Sequence, residues 1–413
     1  MPDATTPRRA CSGTPSRGLG SASVSWSNWA GNVRCEPRVC IDAASEAEVV
    51  AALREAERAG LAVRVAGSGH SFSPLVATDG LLLTLDGLAG IARHEPERGH
   101  VWVRAGTTLH ALGPALHALG LALENLGDVD VQALGGALAT GTHGTGRTLP
   151  SLSARVSGLR LLLADGSLRV LREEDEPGLL AAARVSLGAL GVVTAARLDC
   201  VPAYRLHERV ERMPIDACLA SLEQRIMANR HFEFFWYPGR DLAETKTIQP
   251  TTLPPEAVAG RKYERIGWSH LILPSERTLR FVEVEYALPA AAGPDCFRAV
   301  RERMQSRHTE VAWPVEYRCL RSDDAWLSTA HGRETVTLSL HQGAELPWQD
   351  FFADLEPLLQ AHGGRPHWGK RHSLGAEALA QLYPRFADFQ RLRADFDPCG
   401  RFLNEHLRGL FAA

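Results

Sequence analysis

Apolar positions in the first two hundred residues alternate between helical spacing and the short runs typical of strands. Residues 45–59 place alanine, valine and leucine along one helical face, with Ser45 as N-cap and Gly60 closing the helix. Further strands are predicted at 61–66, 81–85, 100–105, 159–164 and 168–171, and a further helix at 108–119. Because helices and strands do not alternate regularly, the pattern favours an α+β fold over a doubly wound sheet.

The pattern changes after residue 202, where the chain becomes rich in aromatic side chains. Residues 231–237 alternate polar and aromatic positions up to a Pro-Gly turn, which predicts an edge or half-buried strand. Similar strands are predicted at 281–286 and 335–341, and helices at 296–307, 348–362 and 376–395. Together they predict a second domain, an antiparallel sheet with helices on one face.

Composition and charge exclude several classes of protein. With 413 residues, 45% of them hydrophobic, the chain is long enough for two domains. The net charge of -3 lacks the positive excess that is typical of nucleic-acid-binding proteins, and no apolar run is long enough to span a membrane. Residues 1–24 predict a disordered tail, and its Arg8-Arg9 pair lacks the apolar stretch of an export signal. We therefore expect a soluble, cytoplasmic protein.

The cysteines and histidines predict no metal site. The eight cysteines are widely spread and form no C-x-x-C pair, as expected for reduced thiols in a cytoplasm. Among the sixteen histidines, no closely spaced pair lies beside a carboxylate in a convincing ligand pattern. A metal-dependent hydrolase is therefore a remote alternative.

Two glycine-rich turns, each carrying a histidine, are the most informative motifs. The first glycine turn (residues 66–71) reads Ala-Gly-Ser-Gly-His-Ser, and the second glycine turn (141–146) reads Gly-Thr-His-Gly-Thr-Gly. Glycines let backbone N–H groups approach an anion closely, so two such turns predict a large phosphate-bearing cofactor. A Rossmann site is disfavoured, because Phe72 replaces the third glycine and a strand, not a helix, is predicted next.

Further polar residues are candidates for chemistry, although each has an ordinary structural explanation. Glu316 and Arg318 are two positions apart on a predicted strand, so they share a face, where such a pair is more often a structural ion pair. Lys370 follows Trp-Gly, and a surface lysine is the more common case. His341 ends a predicted strand, and a lone His70 in a loop would usually be a hydrogen-bonding group.

These motifs occur together with several others in one order along the chain. The matching segments are 28–31 (NWAG), 67–72 (GSGHSF), 79–80 (DG), 123–128 (LENLGD), 141–146 (GTHGTG), 186–191 (SLGALG), 316–318 (EYR), 367–370 (HWGK) and Asp397, Pro398, Gly400, Phe402 and Asn404. In this combination the chain resembles the aldonolactone oxidase and alditol oxidase group of the vanillyl-alcohol-oxidase-type flavoproteins, which includes gulonolactone and arabinonolactone oxidases. The resemblance runs from about residue 28 to the end.

The resemblance implies an architecture and a reaction. The fold would be α+β, with a two-subdomain PCMH-type FAD-binding domain at 25–205 and an antiparallel-sheet substrate cap at 206–366. Residues 367–413 would return to the FAD domain. The reaction would oxidise a hydroxyl-bearing carbon of a sugar lactone or polyol by hydride transfer to flavin N5. Oxygen would then reoxidise the flavin and give hydrogen peroxide.

The resemblance also assigns roles to residues. His70 would bind FAD covalently through the 8α-methyl group. The other cofactor-binding residues that it implies are Ala66, Gly67, Ser68, Gly69, Ser71, Gly127, Asp128, Gly141, Thr142, His143, Gly144, Thr145, Gly146 and Val193. Lys370, Arg318 and Glu316 would be catalytic and would bind substrate together with His341. Gly127 would leave the flavin edge open to oxygen, which favours an oxidase.

Three alternatives remain open. An alditol oxidase acting on a primary alcohol would share every residue named above. A lactone dehydrogenase would pass its electrons to another cellular or artificial acceptor, and glycine at position 127 also occurs in such relatives. A non-catalytic flavin-binding protein would belong to a different class, and the joint presence of Glu316, Arg318 and Lys370 argues against it.

Overall fold

The computed structural model describes residues 25–411, so the tail predicted for 1–24 lies outside the described residues. The elements of the N-terminal half are β1 (Trp26–Ser27), β2 (Arg34–Cys35), β3 (Val39–Asp42), α1 (Glu46–Ala59), β4 (Val63–Ala66), β5 (Leu81–Thr84), β6 (Ile91–Glu95), β7 (His100–Arg104), α2 (Leu109–Ala118), β8 (Leu121–Ala122), α3 (Leu134–Ala139), β9 (Val156–Leu162), β10 (Leu168–Arg172), α4 (Pro177–Arg184), β11 (Val192–Asp199) and β12 (Val201–Pro202). They form a three-stranded sheet in the order β3-β5-β4 and a five-stranded sheet in the order β10-β9-β11-β7-β6, with two small ribbons.

The helix α1 packs on the three-stranded sheet and begins and ends as its sequence predicts. The Ser45 hydroxyl accepts the Glu48 N–H at 3.2 Å, and Gly60 closes the helix with φ 64°. The strands of this sheet are parallel, with β3 and β4 on either side of β5. This small β-α-β unit was not predicted, because β3 is only four residues long.

No helix follows the first glycine turn, as the sequence predicts. The chain leaves β4 at Ala66, forms the turn and continues through a loop directly into β5. Among residues 25–411, no helix is long and apolar enough to cross a membrane.

The elements of the C-terminal half are β13 (Arg205–Pro214), α5 (Ile215–Ala220), α6 (Leu222–Ala228), β14 (His231–Tyr237), β15 (Leu242–Thr251), β16 (Glu264–Trp268), α7 (Ser269–Ile272), β17 (Phe281–Pro289), α8 (Gly293–Arg307), β18 (Val315–Leu320), β19 (Thr335–Gly343), α9 (Gln349–Ala361), β20 (Arg365–Pro366), α10 (Ala376–Leu382), α11 (Phe386–Phe396) and α12 (Glu405–Phe411). Eight of the strands form the antiparallel cap sheet, in the order β16-β13-β15-β14-β18-β19-β17-β20. The prediction of an antiparallel sheet is confirmed.

Alternation along the cap strands separates an apolar face from a polar one. Alternate residues such as Phe234, Val284, Tyr317 and Leu338 face the helices α5, α6, α8 and α9 and form one apolar core. The opposite face, called here the cavity face, carries Glu233, Lys246, Glu283, Glu285, Glu316, Arg318, Ser339 and His341. Helices on one face are therefore confirmed.

One predicted strand occupies a different position in the sheet from the one expected. The edge or half-buried position predicted for residues 231–237 is wrong, because β14 pairs with both β15 and β18 inside the cap sheet. One face is covered by the helices. On the other, the second glycine turn contacts the start of the strand, where the Thr145 hydroxyl donates to the Phe232 carbonyl at 2.6 Å, and Phe235 and Tyr237 line the larger cavity.

The last residues return to the N-terminal half. The helix predicted over 376–395 is interrupted at Pro384, giving α10 and α11. Leu407 and Leu410 of α12 enter the core around the five-stranded sheet, and Phe402 enters the core beneath α1. The predicted boundaries near residues 205 and 366 stay predictions, although this return of the chain agrees with them.

Candidate functional site

A cavity of about 1390 Å³ lies between the cavity face of the cap sheet and the two glycine turns. A smaller cavity of about 120 Å³ continues beneath the first glycine turn, and Gly67–Ser71 line both. Val193 and Ala66 line the smaller cavity. Glu316, Arg318, His341 and Lys370 all line the larger one.

The first glycine turn is braced by the segment before β2. Trp29 donates its backbone N–H to the Gly69 carbonyl at 2.8 Å, and its ring stacks on His70 with centroids 5.2 Å apart. Asn28 donates to the Ser71 carbonyl at 2.9 Å. Gly69 has φ +71°, which a side chain would strain. The turn is therefore fixed on its outer side while its inner side faces the cavity.

His70 is buried within this turn and presents an unpaired nitrogen. Its Nε2 atom has no hydrogen-bond partner among the described residues. Burial, together with the nearby charge of Lys370, lowers the pKa of His70 to about 4. The imidazole is therefore neutral at physiological pH, and its lone pair is available.

One part of the second glycine turn lines the cavity and another part contacts the cap sheet. Thr142 and His143 line the larger cavity. Gly144 lies where a Cβ would be 2.2 Å from the Leu126 carbonyl oxygen, and Gly146 donates its N–H to the Cys319 carbonyl at 2.8 Å. Together with Thr145, these residues join the turn to the chain around it, and Gly141, Gly144, Thr145 and Gly146 are absent from the walls of both cavities.

Gly127 and Asp128 lie beside the second turn. A Cβ on Gly127 would be 3.1 Å from both Thr142 Cγ2 and the His143 carbonyl oxygen. Close packing of two loops therefore favours glycine at this position, independently of any access for oxygen. Asp128 accepts from Arg277 at 2.7 Å. Burial raises the pKa of Asp128, but the charges of Lys246 and Arg277 outweigh it and hold that pKa below its usual range.

On the cavity face, Glu285 lies at the centre of a buried network. Arg318 donates to Glu285 Oε2 at 2.6 Å, and the Ser339 hydroxyl donates to the same oxygen at 2.6 Å. The other oxygen lies 2.9 Å from His143 Nε2. Burial raises the pKa of Glu285, but His143 and Arg318 hold it well below the usual value. Glu285 thus links the second glycine turn to Arg318.

The pKa of Glu316 shifts in the opposite direction from those of Glu283 and Glu285. It lies 3.5 Å from Arg318, as the predicted shared face requires, but its Oε1 atom has no hydrogen-bond partner among the described residues. Burial raises the pKa of Glu316 well above the usual value, with the nearby carboxylates of Asp128 and Glu233 adding to the effect against Arg318. A protonated Glu316 can donate a hydrogen bond into the cavity.

Lys370 enters the cavity from the loop between β20 and α10. Its ammonium group forms an ion pair with the buried Glu283 and lies 5.2 Å from the centre of the Phe72 ring. His341 Nε2 is 3.8 Å from the other oxygen of Glu283. The charge of Lys370 is thus held at one place in the wall.

Two groups of side chains have the chemistry of metal ligands, although the sequence predicts no metal site. They are His143, Glu285 and His367, and Asp128, Glu233 and Glu316. A basic side chain of the protein already contacts each group: Arg318 binds Glu285, and Lys246 lies 2.5 Å from Glu233. The carboxylates are therefore compensated by protein charges.

The residues present fit FAD. The two cavities share residues 67–71 as lining, Thr142 and His143 of the second glycine turn border the larger one, and the buried Nε2 atom of His70 has no partner among the described residues. A model of an FAD binding domain matches residues 37–172, and the D-arabinono-1,4-lactone oxidase model matches 196–266 and 255–410. The chain belongs to the D-arabinono-1,4-lactone oxidase family.

Known relatives of this family member cover nearly its whole length. L-gulono-1,4-lactone dehydrogenase of Mycobacterium tuberculosis is 36% identical over 93% of this chain and 98% of its own. Alditol oxidase of a Streptomyces species is 32% identical over 94% and 99%. Cholesterol oxidase of Brevibacterium sterolicum, at 17% identity, has the same fold with a TM-score of 0.84 over 94% of this chain and 97% of its own.

The resemblance, the fold class and the expectation of an FAD-linked oxidoreductase are thereby confirmed. Sequence reasoning missed Glu283 and Glu285, which hold Lys370 and Arg318. A signal was present, because residues 281–286 alternate apolar and acidic positions, which places both glutamates on one face of the strand. The sequence-based prediction also gave Trp29 no role beyond its place in a motif.

Proposed function

We propose that the protein oxidises a hydroxyl-bearing carbon of a small neutral sugar lactone or polyol. One observation carries the proposal: Arg318, Lys370, Glu316 and His341 line the same cavity as the glycine turn that carries His70. Bound FAD supplies the acceptor for the hydride that leaves this carbon. Residues 66–71, Thr142, His143 and Val193 would hold it, as lining of the two cavities supports.

The polar wall suits a substrate rich in hydroxyl groups. Arg318 and the ammonium group of Lys370 are donors that bind and polarise a hydroxyl oxygen. Glu316 adds a neutral donor, and the aromatic rings of Phe235, Phe281 and Trp313, which line the same cavity, can pack on C–H faces. Glu283 and Glu285 keep the two cations in place.

We further propose that His70 bonds covalently to the flavin. The support is its buried and unpaired Nε2 atom, its neutral state and its fixed orientation against Trp29. A neutral imidazole held in reach is a competent nucleophile.

The electron acceptor is oxygen in our proposal. The names of the relatives differ on this point, one being a dehydrogenase and the other an oxidase. Gly127 lines the cavity without a side chain, which favours access for a small molecule. Oxidation of an alditol is the second candidate, since alditol oxidase aligns with 94% of this chain.

The purified holoenzyme tests these proposals in two steps. In the first, the protein is precipitated with acid, and flavin fluorescence is measured in the washed pellet of the wild type and of His70→Ala. Flavin that stays with the wild type and leaves the variant supports the bond. In the second, gulono- and arabinono-lactones and alditols are supplied with oxygen, and peroxide is measured. A flavin-loaded enzyme that oxidises none of them, with oxygen or with a dye, would overturn the function.

A further inference from the structure

The cavity contains several histidines, and their hydrogen bonds distinguish them. A carbonyl oxygen only accepts, and a backbone N–H only donates, so each contact fixes which ring nitrogen carries hydrogen. His341 Nδ1 lies 2.9 Å from the Pro314 carbonyl oxygen, so Nδ1 carries the hydrogen. Its Nε2 atom therefore has a free lone pair at the cavity wall.

Three other histidines of the cavity, His367, His143 and His70, cannot accept a proton in the same way. His110 also lines the cavity, but its side chain on α2 is largely exposed and pairs with Asp130 at 2.8 Å. His367 Nδ1 accepts the Gly369 N–H at 3.1 Å, which leaves the hydrogen on Nε2 and uses the lone pair. Both ring nitrogens of His143 face acceptors, the Gly144 carbonyl and Glu285. His70 lies in the glycine turn, where its lone pair is assigned to the flavin.

The carboxylates on this wall already have hydrogen-bond or ion-pair partners, or are protonated. Glu285 accepts from Arg318 and Ser339, and Glu283 is paired with Lys370. Lys370 forms this ion pair through its ammonium group, which donates but cannot accept a proton. Glu316 favours its protonated form.

We propose that His341 is the catalytic base, which takes the hydroxyl proton at Nε2 while Lys370 and Arg318 hold the hydroxyl oxygen. This inference rests on the proposed function. The O–H bond breaks and its proton joins Nε2, the C–H bond breaks and its electron pair leaves as hydride to FAD, and the carbon becomes a carbonyl. The two electrons then pass to the acceptor, and the imidazolium releases its proton to water.

The surroundings of His341 suit this role. Glu283 on β17, Lys370 on the C-terminal loop and Arg277 on the loop before β17 are the charged groups that act on it. Burial lowers the pKa of His341, and the positive charges add to this, while Glu283 and the Pro314 carbonyl raise it. The imidazole is therefore neutral above about pH 6.5, the ordinary value for histidine. Once protonated, it is stabilised by the adjacent Glu283.

The test uses the flavin-loaded enzyme and the pH dependence of kcat/KM. The wild type should lose activity in acid as His341 becomes protonated. In His341→Gln this acid limb should disappear and kcat/KM should fall by about 10²-fold or more. Imidazole added to His341→Ala should restore part of the rate, which a purely structural role would not allow. FAD content and melting temperature are checked for each variant.

Glu283→Gln is the matched control. It removes the negative charge beside His341 but keeps the base, so the acid limb should persist and move to lower pH. A wild-type acid limb and near-normal kcat in His341→Gln would overturn the role of His341. An acid limb that disappears in Glu283→Gln but persists in His341→Gln would also overturn this role. A wild type that oxidises no lactone or polyol would instead overturn the proposed function, so the two failures are distinguishable.

Discussion

Lys370 and Glu283 form an ion pair that joins the C-terminal segment to the cap sheet. The main chain reinforces the pair, because Arg371 donates its N–H to the Glu283 carbonyl at 2.9 Å. One residue of β17 thus fixes both the backbone and the charge of the loop that carries Lys370. The position of Lys370 in the cavity depends on a strand eighty-seven residues earlier in the chain.

Replacing Lys370 should affect the reaction more than the fold. Lys370→Met removes the proposed donor to the substrate oxygen and leaves Glu283 without its partner, so we expect kcat/KM to fall by about 10²-fold or more. Lys370→Arg keeps the charge and should retain more activity. Steady-state kinetics on the same lactone or polyol give the comparison, and equal rates for Met and Arg variants would contradict it.

Trp29 should influence the proposed covalent attachment of flavin to His70. Its ring stacks on His70 and packs edge-on against Phe281 at 5.4 Å. Trp29→Leu removes the flat surface against which His70 is oriented, so a smaller fraction of flavin should remain in the acid pellet. Trp29→Phe keeps an aromatic ring and serves as the matched control. The idea fails if both variants retain the wild-type covalent fraction.

Gly127→Ala tests the route of the electron acceptor. The added methyl group would press on Thr142 and the His143 carbonyl, which must shift by a few tenths of an ångström. We expect the rate with oxygen to fall relative to the rate with a dye that accepts electrons. Overpacking should cost about 1 kcal/mol or more of the free energy of unfolding. An unchanged ratio of the two rates would remove Gly127 from the oxygen route.

Arg64 should be important for stability rather than for chemistry. It is buried and donates to four carbonyls, those of Leu75, Leu187, Gly188 and Phe402. Arg64→Met leaves these acceptors unsatisfied, so the free energy of unfolding should fall by about 3 kcal/mol or more. Denaturant unfolding followed by fluorescence measures this, and a loss below about 1 kcal/mol would show that water replaces the guanidinium group.

The network around Glu285 predicts how stability depends on pH. The folded-state pKa of Glu285 lies below the unfolded value of about 4.3, so its contribution is present above that pH and is lost as the pH falls through the folded value. Glu285→Gln should cost about 3 kcal/mol at pH 7, because Arg318 loses its counter-charge inside the protein. This difference from the wild type should shrink as the pH falls below about 4. A difference that is independent of pH would contradict the assignment.

The sequence predicts those parts of the site that depend on local spacing. Glu316 and Arg318 share a face because a strand repeats every two residues, and α1 has its caps where Ser45 and Gly60 stand. The pairing of His143 with Glu285 joins positions 142 residues apart, and no local pattern encodes which strands are neighbours. The central place of β14 was missed for the same reason, since the layer that covers it comes from another part of the chain.

Because the C-terminal segment contacts the N-terminal half, some contacts of that half can form only late in synthesis. Val63 beside the first glycine turn donates its N–H to the Arg401 carbonyl at 2.8 Å, and Arg64 donates to Phe402 at 2.6 Å. During synthesis, residues 25–205 precede these partners by about 200 residues, or roughly 10–40 s at the usual rate of 5–20 residues per second. The strand that leads into the first glycine turn therefore gains these two hydrogen bonds only after residues 401 and 402 have been made, and Lys370 becomes available to the cavity in that same interval.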